Sequence, residues 1–461
     1  MIAVISDLHL EEEASDVIPG PKGKEIRFRR NFEPKVFASF IAHMADEVRR
    51  RKSKEFHLVI AGDLFDLNRT TLWFSDDLRP YVRNGKFSPA LEQKVLRIID
   101  ATAKEEACWE ALKSFRLITK GVYRETESGK WKERDFPCKV KVTLLAGNHD
   151  RIINGSKTIR RKIRDLLYSK GDDPFPHYLV LDDPETLIRH GHEYDPSNFA
   201  SELTEKKRIP LKIDEEYYDN PNFGDFVTID IAAKLPFLLR QHYGDEAIQN
   251  HRVLRSLYLR LLQFDDVRPQ AALLDYLLDC SGEKFTPEAA WDQLVPVLQD
   301  LLEDIHDDPY FRYWLRRRAK PWAPAELDLT RELLKAGGWR NRLAREAGRK
   351  ITHFMLGGEI PKPEIYAARE EFLEKDKVRL VISGHTHHPK VTLLKSDASG
   401  DRFYINTGTW RDMIPSTPDR RTFGRMRSLT YVMLYEKREQ DERDGRKTNS
   451  FDYWNGFTLD W

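Results

Sequence analysis

Short apolar runs that end in Gly, Asp, Asn or His recur along the chain and predict strands. Runs of this length, bounded by turn residues, are typical of strands buried on both faces of a sheet. They are Ile2–Ser6, Phe56–Ala61, Val140–Ala146, Thr186–Arg189, Arg379–Ser383 and Phe403–Asn406. Between the first two, Glu33–Lys52 has apolar residues at helical spacing and a basic last turn that suits the helix dipole. Strand, helix, strand predicts an α/β layered domain.

Two long segments interrupt this alternation. The first, about Asn68–Pro137, contains a predicted helix near Pro89–Phe115 and a charged stretch, Arg124–Asp135, that predicts a hairpin or loop. The second runs from about Asp195 to Lys377, which is too long for a loop, and we predict an inserted helical subdomain there. Its predicted helices are Val253–Leu262, Gln270–Leu278, Ala289–Ile305, Leu329–Lys335 and Tyr366–Lys375.

These patterns predict a domain that is split by the insertion. Residues 1–194 form its first part, with a smaller insertion at about 68–137, and residues 195–377 form the helical subdomain. Residues 378–461 form the second part, which contains the alternating strand Ser428–Tyr435.

The amino-acid composition of the chain limits the classes of protein to which it can belong. A chain of 461 residues with 40% hydrophobic residues can bury a large core. Its net charge of +1 argues neither for nor against a nucleic-acid partner, so any steering field must come from local patches. No apolar run approaches the roughly 18 residues of a membrane span. Cys108, Cys138 and Cys280 lack the C-x-x-C spacing of zinc sites, and no signal peptide is evident at the N-terminus. We therefore expect a cytoplasmic protein without disulfides.

Charge is uneven within the predicted helical subdomain. Asp265–Asp308 holds twelve acidic and two basic residues, whereas Phe311–Lys350 holds twelve basic and four acidic residues with Trp314, Trp322 and Trp339. These segments can be two solvated faces that pair with each other. Alternatively, the basic one is a surface for a phosphate-rich substrate, or the two pair between chains. The oligomeric state stays open.

Seven of the 14 histidines fall in four clusters that each follow a predicted strand. The clusters are Asp7-Leu8-His9, Gly147-Asn148-His149-Asp150, His190-Gly191-His192 and Gly384-His385-Thr386-His387-His388, and Gly62-Asp63-Leu64-Phe65-Asp66 follows a fifth strand. Ligands bind outside the carboxyl ends of strands in α/β sheets, so these groups should converge. Carboxylates, imidazoles and one amide without thiolates suit manganese, iron(II) or zinc. The donors exceed the four to six that one ion takes, which favours two ions.

In this order, the five blocks resemble the calcineurin-like metallophosphoesterase superfamily of dinuclear metal phosphoesterases. The resemblance covers the signature blocks of the catalytic domain but not the helical insertion. It implies a layered β-sandwich flanked by helices. It also implies hydrolysis by a hydroxide that bridges two divalent ions, with Mn²⁺ first and Fe, Zn, Co or Ni as alternatives.

The resemblance further implies a role for each block residue. One ion would be held by Asp7, His9 and His387, the other by Asn148, His190 and His385, with Asp63 between them. His149 would be the catalytic histidine that donates to the phosphate or the leaving oxygen. Asp150 would orient His149, or cap the segment that starts at Arg151. His192 and Arg151 are weaker candidates for contact with the substrate.

The substrate does not follow from the fold. The blocks around Asp7 and Asp63 resemble UDP-diacylglucosamine pyrophosphatases, which are shorter and carry an Arg at the position of His149. Double-strand-break repair nucleases share two blocks, but their extra domain is C-terminal. We predict a phosphodiesterase or pyrophosphatase that acts on a nucleotide-like or nucleic-acid substrate, with the insertion as a lid. The alternatives are a phosphomonoesterase and a catalytically silent protein-binding scaffold.

Overall fold

The computed structural model describes residues 1–81, 87–127, 130–199, 208–318, 362–419, 421–439, 441–443, 446–448 and 451–458, with Glu332 and Glu346. Apart from Glu332, the predicted helix Leu329–Lys335 lies outside the described residues, as does most of the basic segment Phe311–Lys350, including Trp322 and Trp339.

The first sheet contains the N-terminal strand at its centre. Its seven strands are Ile2–Ile5, Glu55–Ile60, Lys139–Leu144, Val267–Arg268, Asp412–Pro415, Met426–Leu434 and Phe451–Thr458. Ile2–Ile5 pairs in parallel with Glu55–Ile60 and antiparallel with Met426–Leu434. Glu55–Ile60 in turn pairs in parallel with Lys139–Leu144. The carboxyl ends of these three parallel strands therefore lie at one edge.

The second sheet is parallel in its middle and antiparallel at both sides. Its strand order is Lys390–Asp397, Gly400–Asn406, Leu380–Ser383, Glu185–Arg189, Tyr178–Asp182. The three middle strands are parallel, and the two outer strands close antiparallel pairs. This places the ends of Leu380–Ser383 and Glu185–Arg189 side by side.

The two sheets pack face to face. Val4 and Val59 of the first sheet are buried against Ile188, Ile382 and Ile405 of the second. Helices cover the outer faces of both sheets through two further apolar clusters. The predicted sandwich flanked by helices is confirmed.

The helix boundaries follow from local sequence signals. The α-helices of the described residues are Pro34–Arg51, Pro89–Lys104, Glu106–Thr119, Lys157–Leu166, Glu215–Asp219, Phe223–Val227, Lys234–Tyr243, Asp245–Asn250, Arg252–Leu261, Leu273–Leu278, Pro287–His306, Pro309–Arg318, Pro363–Ala367 and Glu371–Glu374. Ser88 and Thr286 cap two of them by accepting from the backbone N–H three residues on, and a proline follows each cap. The single helix predicted near Pro89–Phe115 is wrong, because Glu105 adopts an extended conformation and separates two helices.

The helical insertion is joined to the sandwich through backbone and side chains. Its short strand Val267–Arg268 pairs in parallel with Asp412–Pro415 of the first sheet. Most of its buried apolar residues from Phe223 to Leu315 belong to the same cluster as the helix Pro34–Arg51, whereas those nearer its two ends pack with the second sheet. The smaller insertion contains the predicted hairpin, formed by Val122–Glu127 and Lys130–Asp135. The division into three sequence segments remains a prediction.

Among the described residues, none of the helices has the length and apolar character that crossing a bilayer requires.

Candidate metal centre

Loops from both sheets meet at one edge of the sandwich. Asp7 and His9 follow the strand Ile2–Ile5, and Asp63 follows Glu55–Ile60. Backbone hydrogen bonds tie these two loops together: the N–H of His9 donates to the carbonyl of Asp63, and that of Asp7 to the carbonyl of Gly62. Parallel strand pairing therefore fixes how the two carboxylates lie relative to each other.

Asp7, His9 and His387 form a first group of donor atoms. Nε2 of His387 lies 3.0 Å from Nε2 of His9 and 3.4 Å from Oδ1 of Asp7. Nε2 of His9 lies 3.7 Å from the same carboxylate oxygen. These are the three residues that the family resemblance assigns to one ion, and their donor atoms are close enough for a single cation.

Asn148, His190 and His385 form a second group. Oδ1 of Asn148 lies 2.9 Å from Nε2 of His190 and 2.9 Å from Nδ1 of His385. Oδ2 of Asp63 lies 3.1 Å from Nε2 of His190 and 3.7 Å from Nε2 of His9. The carboxylate of Asp63 therefore lies between the two groups, where the sequence prediction places it.

Unusual backbone geometry is concentrated at this site. Nine non-glycine residues of the described chain have a positive φ, and five of them are Asp7, His9, Asp63, His385 and His387. A left-handed backbone at a residue with a side chain costs free energy, about 1–3 kcal/mol each, and persists where the surrounding structure enforces it. The fold thus holds these five side chains in place at the expense of backbone strain, as functional sites commonly do.

Two glycines let the loops approach the carboxylates. A Cβ atom at Gly147 would overlap the carboxylate of Asp63, and one at Gly384 would overlap the carboxylate of Asp7 and the side chain of Ser6. A side chain at either position would therefore displace a donor group.

The donor set and its charge fit divalent cations. Asp7 and Asp63 are 0% and 1% exposed, and two buried carboxylates this close require compensating positive charge. Burial raises the pKa of Asp63, but the nearby His190 and His149 outweigh it and hold the pKa below its usual range. Oxygen and imidazole donors without thiolates suit manganese, iron or zinc. The residues present can therefore hold two such ions.

His149 lies beside this centre with its ring held by Asp66. Its Nδ1 lies 3.0 Å from Oδ1 of Asp66, and its backbone N–H donates to Asp63. Burial opposes protonation of the ring, but the carboxylates of Asp66 and Asp63 outweigh it and raise the pKa of His149 to about 10. The geometry therefore favours a protonated histidine.

The prediction that Asp150 orients the ring of His149 is wrong. The carboxylate of Asp150 accepts instead from the backbone N–H of Gly147 at 2.7 Å and of Leu64 at 2.9 Å. Burial and the charge of Asp63 raise the pKa of Asp150 to about 7. Asp150 makes no side-chain cap for the turn at Arg151 either, so it joins two site loops rather than orienting His149.

The two weaker candidates lie at the periphery. The ring of His192 is buried 5.4 Å from that of His190, and burial lowers its pKa to about 3. The guanidinium of Arg151 pairs with Asp225 and donates to the carbonyl of Asp219, both in the helical insertion. Contact of either residue with a substrate remains a prediction.

The insertion supplies two residues that the sequence prediction missed. Oδ2 of Asp195 lies 3.0 Å from Nε2 of His385, and Nη2 of Arg268 lies 2.9 Å from Nδ1 of His387. Each contacts the ring nitrogen that faces away from the neighbouring donor group. No local motif marks these two residues, because the fold of the insertion brings them to the site.

Comparison with known families agrees with the site. The model of the calcineurin-like phosphoesterase family matches residues 1–268, more than half of the chain. The matched range contains Asp7, Asp63, Asn148 and His190, whereas His385 and His387 lie beyond it and join the site through the fold. Searches among curated proteins and among solved structures gave no match. The chain belongs to the calcineurin-like phosphoesterase family.

Proposed function

We propose that this chain is a metal-dependent phosphodiesterase or pyrophosphatase that acts on a nucleotide-like or nucleic-acid substrate. The observation that carries the proposal is the convergence of two donor groups on either side of Asp63, with a paired histidine, His149, beside them. Manganese is the proposed metal, and the three free cysteines support the cytoplasm as the proposed compartment.

Each donor group has a defined part in this proposal. Asp7, His9 and His387 would hold one ion, and Asn148, His190 and His385 the other, with Asp63 shared. When bound, two such ions polarise phosphate oxygens and lower the pKa of the attacking water. The chain's own contribution is to hold the donors rigidly, through strand pairing and a strained backbone, so that substrate binding requires little rearrangement.

His149 is the proposed proton donor. Asp66 fixes the ring through Nδ1 and favours its protonated form, so the ring can give a proton to the leaving oxygen or neutralise charge on the phosphoryl oxygens. A positioned general acid of this kind contributes about 10²–10⁴-fold to the rate. The role assigned to Asp150 is correspondingly narrower: it holds the backbone of Gly147 and Leu64.

The composition of the sequence supports a diester or pyrophosphate substrate over a monoester. Phe311–Lys350 has twelve basic and four acidic residues, a composition that suits a phosphate-rich substrate. Of its tryptophans, Trp314 stacks on Phe223 with ring centroids 3.6 Å apart, so Trp314 packs within the insertion. The proposed substrate surface therefore depends on the basic residues and on Trp322 and Trp339.

One assay separates the candidate functions. Hydrolysis of bis-p-nitrophenyl phosphate and of p-nitrophenyl phosphate is measured with manganese, and after removal of metal with EDTA. The proposal expects faster manganese-dependent hydrolysis of the diester, abolished in Asp63→Asn. Faster cleavage of the monoester would identify a phosphomonoesterase. No hydrolysis of either ester, or of nucleotides and DNA, would favour the scaffold.

A further inference from the structure

The helical insertion places an arginine against the candidate metal centre. Nη2 of Arg268 donates to Nδ1 of His387 at 2.9 Å, and Nη1 donates to the backbone carbonyls of Asp265 and Val267. The strand Val267–Arg268, paired with the first sheet, fixes the backbone of this residue. Arg268 as a residue is half-buried, beside His387 at the edge of the candidate metal centre.

The other arginines around the centre are neutralised by carboxylates. The pairs are Arg30 with Glu11 and Asp16, Arg69 with Asp265, Arg151 with Asp225, and Arg411 with Glu11 and Asp266. Within the described part of the chain, no carboxylate oxygen lies within 4.0 Å of the side-chain nitrogens of Arg268. Its two acidic neighbours in sequence, Asp265 and Asp266, pair with Arg69 and Arg411. Among the described residues, Arg268 therefore has no directly paired carboxylate, and the charges of Asp265, Asp266 and Asp7 act on it only from a distance.

Once His387 serves as a metal ligand, its ring can no longer accept the hydrogen bond from Arg268. A neutral imidazole has one acceptor nitrogen, and a guanidinium only donates. Nε2 of His387 faces Asp7 and His9, so use of Nε2 as a ligand leaves the proton on Nδ1. Nη2 of Arg268 then needs another acceptor.

We propose that Arg268 binds a phosphate oxygen of the substrate, an inference that rests on the proposed function. An anionic oxygen would supply a directly paired negative charge and, at the same time, an acceptor for Nη2. Guanidinium groups form short, charge-assisted hydrogen bonds to phosphate oxygens. The insertion would thereby contribute directly to substrate binding, next to the ligand His387.

Binding of inorganic phosphate tests the inference without requiring turnover. Isothermal titration of manganese-loaded, desalted protein with phosphate is compared for wild type, Arg268→Met, Arg268→Lys and the exposed control Arg255→Met. We expect Arg268→Met to raise the dissociation constant for phosphate about tenfold or more, since a hydrogen bond to a charged group is lost. Arg268→Lys should retain part of the affinity, and Arg255→Met all of it. The KM for bis-p-nitrophenyl phosphate should rise in parallel, with unchanged manganese content.

The possible outcomes are distinguishable. An unchanged dissociation constant in Arg268→Met overturns the inference, as does a loss of manganese in that variant, which would mean that Arg268 acts through His387. If Arg268→Met does not fold, Arg268→Gln takes its place, and failure of both to fold identifies a structural residue and overturns the inference. Wild-type protein that binds no phosphate overturns it as well. Wild-type protein that binds manganese and phosphate but hydrolyses no ester contradicts the proposed function instead.

Discussion

Nδ1 of His149 lies 3.0 Å from Oδ1 of Asp66, a residue 83 positions earlier in the chain. The other carboxylate oxygen of Asp66 lies 3.4 Å from Nδ1 of His9. Burial opposes ionisation of Asp66, but these two histidines outweigh it and hold the pKa of Asp66 well below its usual range. One ionised carboxylate therefore orients both the proposed proton donor and a proposed metal ligand.

This arrangement predicts that substitutions of His149 and of Asp66 affect catalysis and metal binding differently. His149→Ala should lower kcat for the diester about 10²–10⁴-fold while leaving manganese content unchanged, because His149 is not a proposed ligand. Asp66→Asn should lower kcat less and also weaken metal binding, about 10–100-fold, because the ring of His9 loses its carboxylate partner. Steady-state kinetics and metal analysis measure both effects.

The exposed Asp77→Asn, on the loop that follows the short helix Thr71–Ser75, provides the control and should behave as wild type. Equal loss of manganese in His149→Ala and Asp66→Asn would contradict the assignment of His149 as a non-ligand.

Gly384→Ala tests whether close approach of the backbone is needed at the centre. The added Cβ would overlap the carboxylate of Asp7 and the side chain of Ser6, so we expect reduced manganese content together with reduced thermal stability. Gly424→Ala is the control, because a Cβ there has no neighbour within 4 Å. Metal analysis and thermal unfolding measure the manganese content and the stability of both variants. Full manganese occupancy in Gly384→Ala would show that the loop can shift to accommodate the added Cβ.

Asp195→Asn tests the part that the insertion plays in metal binding. The carboxylate of Asp195 lies 3.0 Å from Nε2 of His385, and loss of such a partner weakens metal binding by a ligating histidine about 10–100-fold. Titration with manganese should therefore show weaker binding in Asp195→Asn than in the exposed control Asp214→Asn. Identical titration curves would restrict Asp195 to a structural role.

Local sequence patterns were sufficient to predict the buried strands of the core, but not an exposed outer strand or a break between two helices. Ile2–Ser6 and Phe56–Ala61 are continuous apolar runs, and both were predicted as strands and confirmed. Lys390–Asp397 was missed, because this outer strand is mostly exposed and polar. The break at Glu105 was also missed, since the apolar spacing on either side of it is helical.

At the site, too, residues that follow a strand could be predicted from sequence, whereas contacts between distant parts of the chain could not. Each proposed ligand directly follows a strand, so the clusters could be found from sequence spacing. The partner of His149 could not, because Asp150 is adjacent in sequence whereas Asp66 is adjacent in space. Asp195 and Arg268 depend on how the insertion packs, which no short motif encodes.

A buried cluster of charged residues, centred on Arg189 of the second sheet, should contribute strongly to the free energy of unfolding. Nε of Arg189 lies 3.1 Å from the carboxylate of Glu370, Nη1 lies 3.6 Å from that of Glu193, and all three side chains are 0% exposed. Arg189→Met would leave two buried carboxylates without a counter-charge, so we expect the free energy of unfolding to fall by about 3–5 kcal/mol. The surface pair formed by Arg208 and Glu374 offers the comparison.

Arg208→Met should change the free energy of unfolding by only about 0–1 kcal/mol, because Arg208 and Glu374 are 57% and 41% exposed and water screens their attraction. Urea unfolding of both variants, followed by circular dichroism without added metal, measures the two changes. A loss below about 1 kcal/mol in Arg189→Met would mean that water or protonation of a carboxylate compensates the missing charge. If Arg189→Met shows the large loss that we expect, a double variant, Arg189→Met with Glu370→Gln, should recover part of it, since only Glu193 remains charged.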